Sequence, residues 1–273
     1  REIGLYVSRR VSHLSKTYAS SPIQYNRQRF LSDLSKVEIA DHAGESLQSF
    51  GSISGRHDLL ADEMSYEAGL DIFWKPSSNK QLSVAIKPDF GQVESDQLVV
   101  NFSPTETFFS ENRPFFTENQ ALFDVRGNES LRLVHTRRVG GKPDAGDDLG
   151  ADILGAAKFT SVGENLNYGG FAVVEESGDQ SAGRNYYVGR AMTKQKDYHA
   201  GYLVTYTDRP DIDRKAAMQA VDFSRDLDAD VKLTGQFIRT DITSEGRRQS
   251  GHASWLNVEQ QLRPNWAHTL QLS

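Results

Sequence analysis

The sequence predicts an antiparallel all-β chain, specifically an up-and-down β-barrel of outer-membrane type, on three observations. Apolar and polar side chains alternate with period 2 through most of residues 150–273, which sorts neighbours onto the two faces of a strand. The alternating runs are roughly 9 to 12 residues long, near what a tilted strand needs to cross a bilayer and longer than the roughly 5 to 6 of soluble strands. The composition is also polar for 273 residues, with 25% charged and 37% hydrophobic side chains. A soluble fold of that size needs a continuous apolar core, whereas a wide barrel meets water on its inner face and lipid only on its outer one.

In chain order, strand-like pieces at 3–11 and 47–57 flank a polar stretch rich in Ser, Gln and Arg between Ser12 and Arg29. Residues 66–75 and 80–87 form a pair across Pro76-Ser77-Ser78-Asn79, a hairpin link of suitable length. Residues 153–162 and 167–176 carry Phe159 and Phe171 on faces shared with small side chains. In 184–194, Tyr186, Val188 and Met192 oppose Tyr187, Gly189, Ala191 and Thr193. In 197–208, Tyr202, Val204 and Tyr206 oppose Gly201, Leu203, Thr205 and Thr207. The stretch 216–226 has a helix-like composition, yet Gln219, Val221, Phe223 and Arg225 alternate with Ala220, Asp222 and Ser224, so a strand is expected. Runs at 228–240 and 252–263 complete the set. Between them, Gly163-Glu164-Asn165, 178–183, Lys194-Gln195-Lys196-Asp197, 208–215 and Ser244-Glu245-Gly246-Arg247 read as turns or polar links. Short turns alternating with longer links is the wiring of transmembrane barrels.

The net charge of -6 and the lack of a basic run argue against nucleic acid as a partner. With no cysteine there is no disulfide, Cys-based zinc site or thiol nucleophile. No apolar run approaches the roughly 18 residues of a spanning helix, so any membrane crossing falls to strands. None of the seven histidines has H-E-x-x-H spacing, and no nucleophile elbow, P-loop or dinucleotide fingerprint is present. Carboxylates are scattered rather than set as a glycosidase pair. Asp89, Glu94 and Asp96, and again Asp144, Asp147 and Asp148, are oxygen clusters of the kind calcium takes, but without the EF-hand pattern they read as solvated or salt-bridged. No catalytic residue, metal or cofactor is therefore expected. The chain starts inside a strand with no signal peptide before it and stops inside another at Trp266–Ser273, so a single barrel domain over 1–273, internal to a longer barrel, is expected.

One segment, 87–123, departs from the alternation. It contains Lys87-Pro88-Asp89-Phe90-Gly91-Gln92-Val93-Glu94-Ser95-Asp96, then Phe108-Phe109-Ser110-Glu111-Asn112-Arg113-Pro114-Phe115-Phe116. Adjacent aromatics require packing on both sides, and Pro88, Pro104 and Pro114 remove ladder donors. Such backbone cannot face hydrocarbon, because unpaired N–H and C=O groups there each cost several kcal/mol. The segment is expected to fold inward as a plug or constriction, with Arg113 paired to Glu111, Glu118 or Asp89. Asp89, Phe90, Glu94, Asp96, Phe109, Glu111, Arg113, Pro114, Phe115 and Phe116 are the expected packing residues.

This two-part run resembles the hallmark of an uncharacterised bacterial family of outer-membrane β-barrels that follow a family-9-type, DOMON-like carbohydrate-binding domain. Gly69-Leu70-Asp71 and Thr136-Arg137-Arg138-Val139-Gly140 match further family features, over roughly residues 1–240. Lys87, Ser110 and Asn112 depart from the pattern. The resemblance implies a bacterial outer-membrane location with lipid as a partner and a role linked to oligosaccharide or polysaccharide. The adjacent pairs Arg9-Arg10 and Arg137-Arg138, read as strand neighbours on opposite faces, are candidates for pore selectivity or headgroup anchoring. The expected function is a structural, transport or docking barrel. A soluble carbohydrate-binding β-sheet protein and a polysaccharide-degrading hydrolase are the alternatives.

Overall fold

In the computed structural model, residues 2–5, 7–11, 16–20, 35–38, 44–58, 62–88, 111–127, 131–142, 144, 151–178, 181–228, 230–263 and 266–272 are described; at some strand positions, Arg10 and 261–268 among them, only the backbone is. The chain divides into two compact units, Arg1–Gly44 and Glu45–Ser273. In the first, β1 (Glu2–Leu5) pairs antiparallel with β4 (Ser35–Glu38), and β2 (Ser8–Val11) with β3 (Lys16–Ala19).

The second unit is one eleven-stranded antiparallel sheet in strict sequence order: β5 (Ser46–Asp58), β6 (Glu63–Ser77), β7 (Lys80–Ile86), β8 (Ile153–Val162), β9 (Leu166–Glu175), β10 (Asn185–Lys194), β11 (Tyr198–Arg209), β12 (Arg214–Asp228), β13 (Val231–Ser244), β14 (Arg247–Arg263) and β15 (Trp266–Leu272). The all-β, up-and-down expectation holds, including β12 where the composition suggested a helix. Barrel closure is not formed: among the described residues β5 and β15 are free edges, because neither ladder continues beyond them.

Two links are tighter than the sequence suggested. Pro76 lies at a register shift at the end of β6, where its missing N–H breaks the ladder, and Ser78-Asn79 alone make the turn. The polar link after β11 shrinks to a 3-10 turn, Pro210–Ile212, closed by Asp213 at φ 41. The links at one end of the sheet (78–79, 163–165, 195–197, 229–230, 264–265) are all short. Those at the other end include 87–152 and 176–184, and there β13 and β14 run on to the two-residue turn Glu245-Gly246.

Directly paired residues share a face, so the register defines two faces. One carries the row Leu47, Trp74, Leu82, Phe159, Gly170, Gly189, Val204 and the row Tyr168, Ala191, Tyr202, Val221, Phe237. Leu256 with Leu272 and Val258 with Leu270 extend it to the edge. This face is bare: Tyr66 is 72% exposed, Phe237 49% and Tyr202 45%. Towards the long-link end it changes character at Gln219, Arg239 and His252, and Asp241 beyond is held by Arg239, Arg248 and Ser250. Across β7 to β10 the opposite face carries Gln81, Ser83, Lys158, Thr160, Phe171 and Arg190, all buried, because residues 111–142 lie across it.

Candidate functional site

The covering segment begins with a short helix, α1 (Pro114–Thr117), started by a proline at a position where the missing N–H is no loss. Its two consecutive aromatics are both buried. Phe116 and Phe123 meet Phe171 of β9 edge-on, at 5.9 and 5.2 Å between ring centroids, a preferred aromatic geometry. Around them Phe115, Leu122 and Val139 close on Ala85, Ile153, Ala156 and Val173 of the sheet. A second cluster packs Val125 on Leu203, Ala220 and Ile238.

Polar wall groups hold the backbone of the segment. Lys158 of β8 donates to the carbonyls of Phe115 and Glu118 (2.8 Å for the latter), which the short helix leaves unpaired. Asn119, in the left-handed region at φ 53, donates to Thr160 Oγ1 at 2.9 Å. Gln236 of β13 donates to the Arg126 carbonyl at 3.1 Å and accepts from Trp255. Arg184, just before β10, donates to the carbonyls of Lys142 and Gly141, each at 2.9 Å, and to both oxygens of Glu175 at the end of β9. Gly140, at φ +72 where a side chain would be strained, donates its N–H to the same Glu175 at 2.8 Å.

Arg113 is the keystone within the segment. Its Nε and one Nη donate to the two oxygens of Glu111, each at 2.8 Å, and the remaining donors reach the carbonyls of Val139 (2.7 Å) and Thr136 (2.9 Å). Thr136 Oγ1 adds a hydrogen bond to Glu111 at 2.7 Å. Both charged side chains are 2% exposed, a burial tolerable only because the fork is fully paired. Burial alone would raise the Glu111 carboxyl, but the Arg113 and Thr136 hydrogen bonds outweigh it and hold the carboxyl below its usual range. Two stretches far apart in sequence, 111–116 and 136–140, are thereby one unit.

Of the expected residues, Glu111, Arg113, Pro114, Phe115 and Phe116 come together here. Asp89, Phe90, Glu94, Asp96 and Phe109 lie outside the described residues, as do Asp147 and Asp148. Asp144 pairs with Arg209, whose hydrogen bonds lower its carboxyl. Glu118 binds Lys75 and Gln81 rather than Arg113. Arg137 and Arg138 are not strand neighbours as expected: they form a 3-10 turn, in which the N–H groups of Arg138 and Val139 donate to the carbonyls of His135 and Thr136 and Arg113 adds a donor to the latter. Arg9 sits exposed on β2, and the side chain of Arg10 lies outside the described residues.

Sequence reasoning missed Lys158, Glu175, Arg184 and the buried pair Arg190–Asp222 (2.8 Å). A signal was present for the last pair and Lys158: each charge falls on the alternating face that also carries Ala156, Thr160, Leu203 and Ala220.

Residues 46–162 match the family model described as a domain of unknown function (DUF5916). That span starts with β5 and ends with β8, and so contains the whole covering segment. No curated protein matches the chain.

Proposed function

We propose that the eleven-stranded sheet is a sector of a bacterial outer-membrane β-barrel wall, its bare face toward lipid and residues 111–142 on the water-filled side. There the segment narrows the lumen and offers a docking surface, which makes transport or docking the role of the barrel. The observation that carries this reading is the extent of the bare apolar face. Side chains that expose on the order of 60 Å² or more apiece, out of the roughly 150–250 Å² an aromatic presents, cover one face from β5 to β15. Their sum far exceeds the few hundred Å² usual for an apolar patch on a soluble monomer. The other face is covered, and among its apolar clusters it buries charged and hydrogen-bonding groups, Lys158, Thr160, Arg190 and Gln236 among them. Support also comes from the short links gathered at one end and from strands of 10 to 17 residues over most of the sheet.

The resemblance to outer-membrane barrels that follow a carbohydrate-binding domain adds a saccharide-related cargo or partner to this proposal. The test is refolding from urea with and without detergent or phosphatidylcholine vesicles, followed by heat-modifiable gel mobility and light scattering. The expected outcome is a folded, protease-resistant species only when an amphiphile is present. Monodisperse folded protein in plain buffer would overturn the reading.

A further inference from the structure

On the polar face, between residues 133–139 and strands β10 and β11, lies a half-enclosed cavity of about 250 Å³. It is slightly smaller than the roughly 300–1,000 Å³ of drug-sized sites, a volume for one ring or a short chain rather than an oligomer. Its chemistry is divided. Phe171 and Val188 make an apolar floor that runs in register into Thr205 of β11, with Thr207 and Arg209 farther along that strand, while Leu133 and Val139 line the cavity from the covering segment.

The carboxylates nearby are spent. Glu175 receives Gly140 and three donors of Arg184, and Asp144 is clasped by Nε and one Nη of Arg209. Arg209 is different: its second Nη has no acceptor among the described residues, and the side chain is one-third exposed. Neither Thr205 nor Thr207 has a side-chain hydrogen bond there. The cavity thus offers charge-assisted and hydroxyl donors above an apolar floor and, among the described residues, no unspent carboxylate to attract a cation.

We propose that this cavity binds a small organic carboxylate, its charged end on Arg209 and the two threonines and its compact body against Phe171 and Val188. A guanidinium with a free N–H edge suits a carboxylate better than a neutral hydroxyl, because the charge-assisted bond is roughly twice as strong. The inference goes beyond the barrel reading and does not need it: Phe171, Val188, Thr205, Thr207 and Arg209, which would hold the ligand, belong to the face opposite the apolar band.

Titration calorimetry on the folded protein tests it, with benzoate against benzyl alcohol and glucuronate against glucose. Saturable binding of at least one carboxylate is expected, about tenfold or more tighter than its neutral counterpart. Arg209→Gln should lose that preference. Because Arg209 also holds Asp144, Val188→Trp serves as a second variant that fills the floor without touching a charge, and it should abolish binding with the fold intact by circular dichroism. Equal affinity for charged and neutral probes, no saturable binding of either carboxylate, or full binding in folded Val188→Trp would each overturn the proposal. A protein that binds benzoate yet folds without detergent would keep this site and lose the barrel, and the reverse result would do the opposite.

Discussion

On β11, Leu203 is fully buried while its immediate neighbours Tyr202 and Val204 stand 45% and 38% exposed. One side of the sheet meets the segment 111–142 and is stitched to it by Lys158, Glu175, Arg184 and Gln236. The other carries Tyr202, Val221 and Phe237 with nothing over them among the described residues. In water the hydrophobic effect favours burying such side chains by about 1.5–3 kcal/mol each. The difference teaches that the covered side is held by apolar burial and polar pairing together, whereas the bare side has apolar side chains without a cover among the described residues. That is the distribution expected of a wall between lipid and water.

The largest expected effect comes from breaking the covered side. Arg113→Ala leaves the Glu111 carboxylate buried and unpaired, and should lower unfolding free energy by about 3–5 kcal/mol, measured by urea titration of the refolded protein. The double change Glu111→Leu with Arg113→Met should recover most of that loss, since apolar replacement of a buried pair is often neutral. A double variant as unstable as the single one would show that the packing, not the charge, was lost.

On the bare side, Val204→Arg should cost roughly 2–4 kcal/mol when the protein is folded into lipid vesicles. If that face met water the same change would stay within about 0.5 kcal/mol, so the vesicle measurement sharpens the contrast between faces directly.

A smaller effect is expected at Gly140, where φ is +72 and the N–H serves Glu175. Gly140→Ala forces a side chain into the left-handed region, a penalty of about 1–2 kcal/mol. It should appear as faster proteolysis within 131–142 while the strands stay protected. Cleavage indistinguishable from the parent protein would remove Gly140 from the account.

The pH effect is the mildest. The carboxyls of Glu111 and Asp144 lie below their usual range in the folded protein, so the unfolded chain binds more protons as pH falls through that range. Their stabilisation is fully present above about pH 5, where the unfolded carboxyls are ionised as well, and is lost as pH drops through the lowered folded values. Hydrogen exchange of residues 111–142 should accelerate in that acid window, and Glu111→Gln should flatten the dependence. An unchanged acid profile in that variant would assign the titration elsewhere.

In the first unit strand identity and order were not legible in the sequence, since the piece read over 3–11 is two strands and β3 and β4 lie in stretches without period-2 alternation. From β5 to β15 they were legible, because that alternation is a local property and turn residues such as Glu245-Gly246 punctuate it. So was the exceptional character of the run around Arg113, since paired aromatics and prolines cannot sit in a ladder. The extent of the covering segment was not legible. Sequence suggested an end at 123, whereas the packing continues to Lys142 because Arg113 and Arg184 reach carbonyls 23 to 43 residues away in the chain.

Alternation by itself determined which side chains travel together, and it grouped Tyr202, Val204 and Tyr206 correctly against Leu203 and Thr205. Which group is covered and which is bare was decided only by the tertiary structure, because the pattern is symmetric under exchange of the two faces. The choice is made by groups whose partners no local pattern names: Lys158 aimed at the end of α1, Glu175 receiving Gly140, Gln236 reaching Arg126. Each joins residues more than thirty positions apart, and a hydrogen bond across such a span exists only once the strands have brought its ends together.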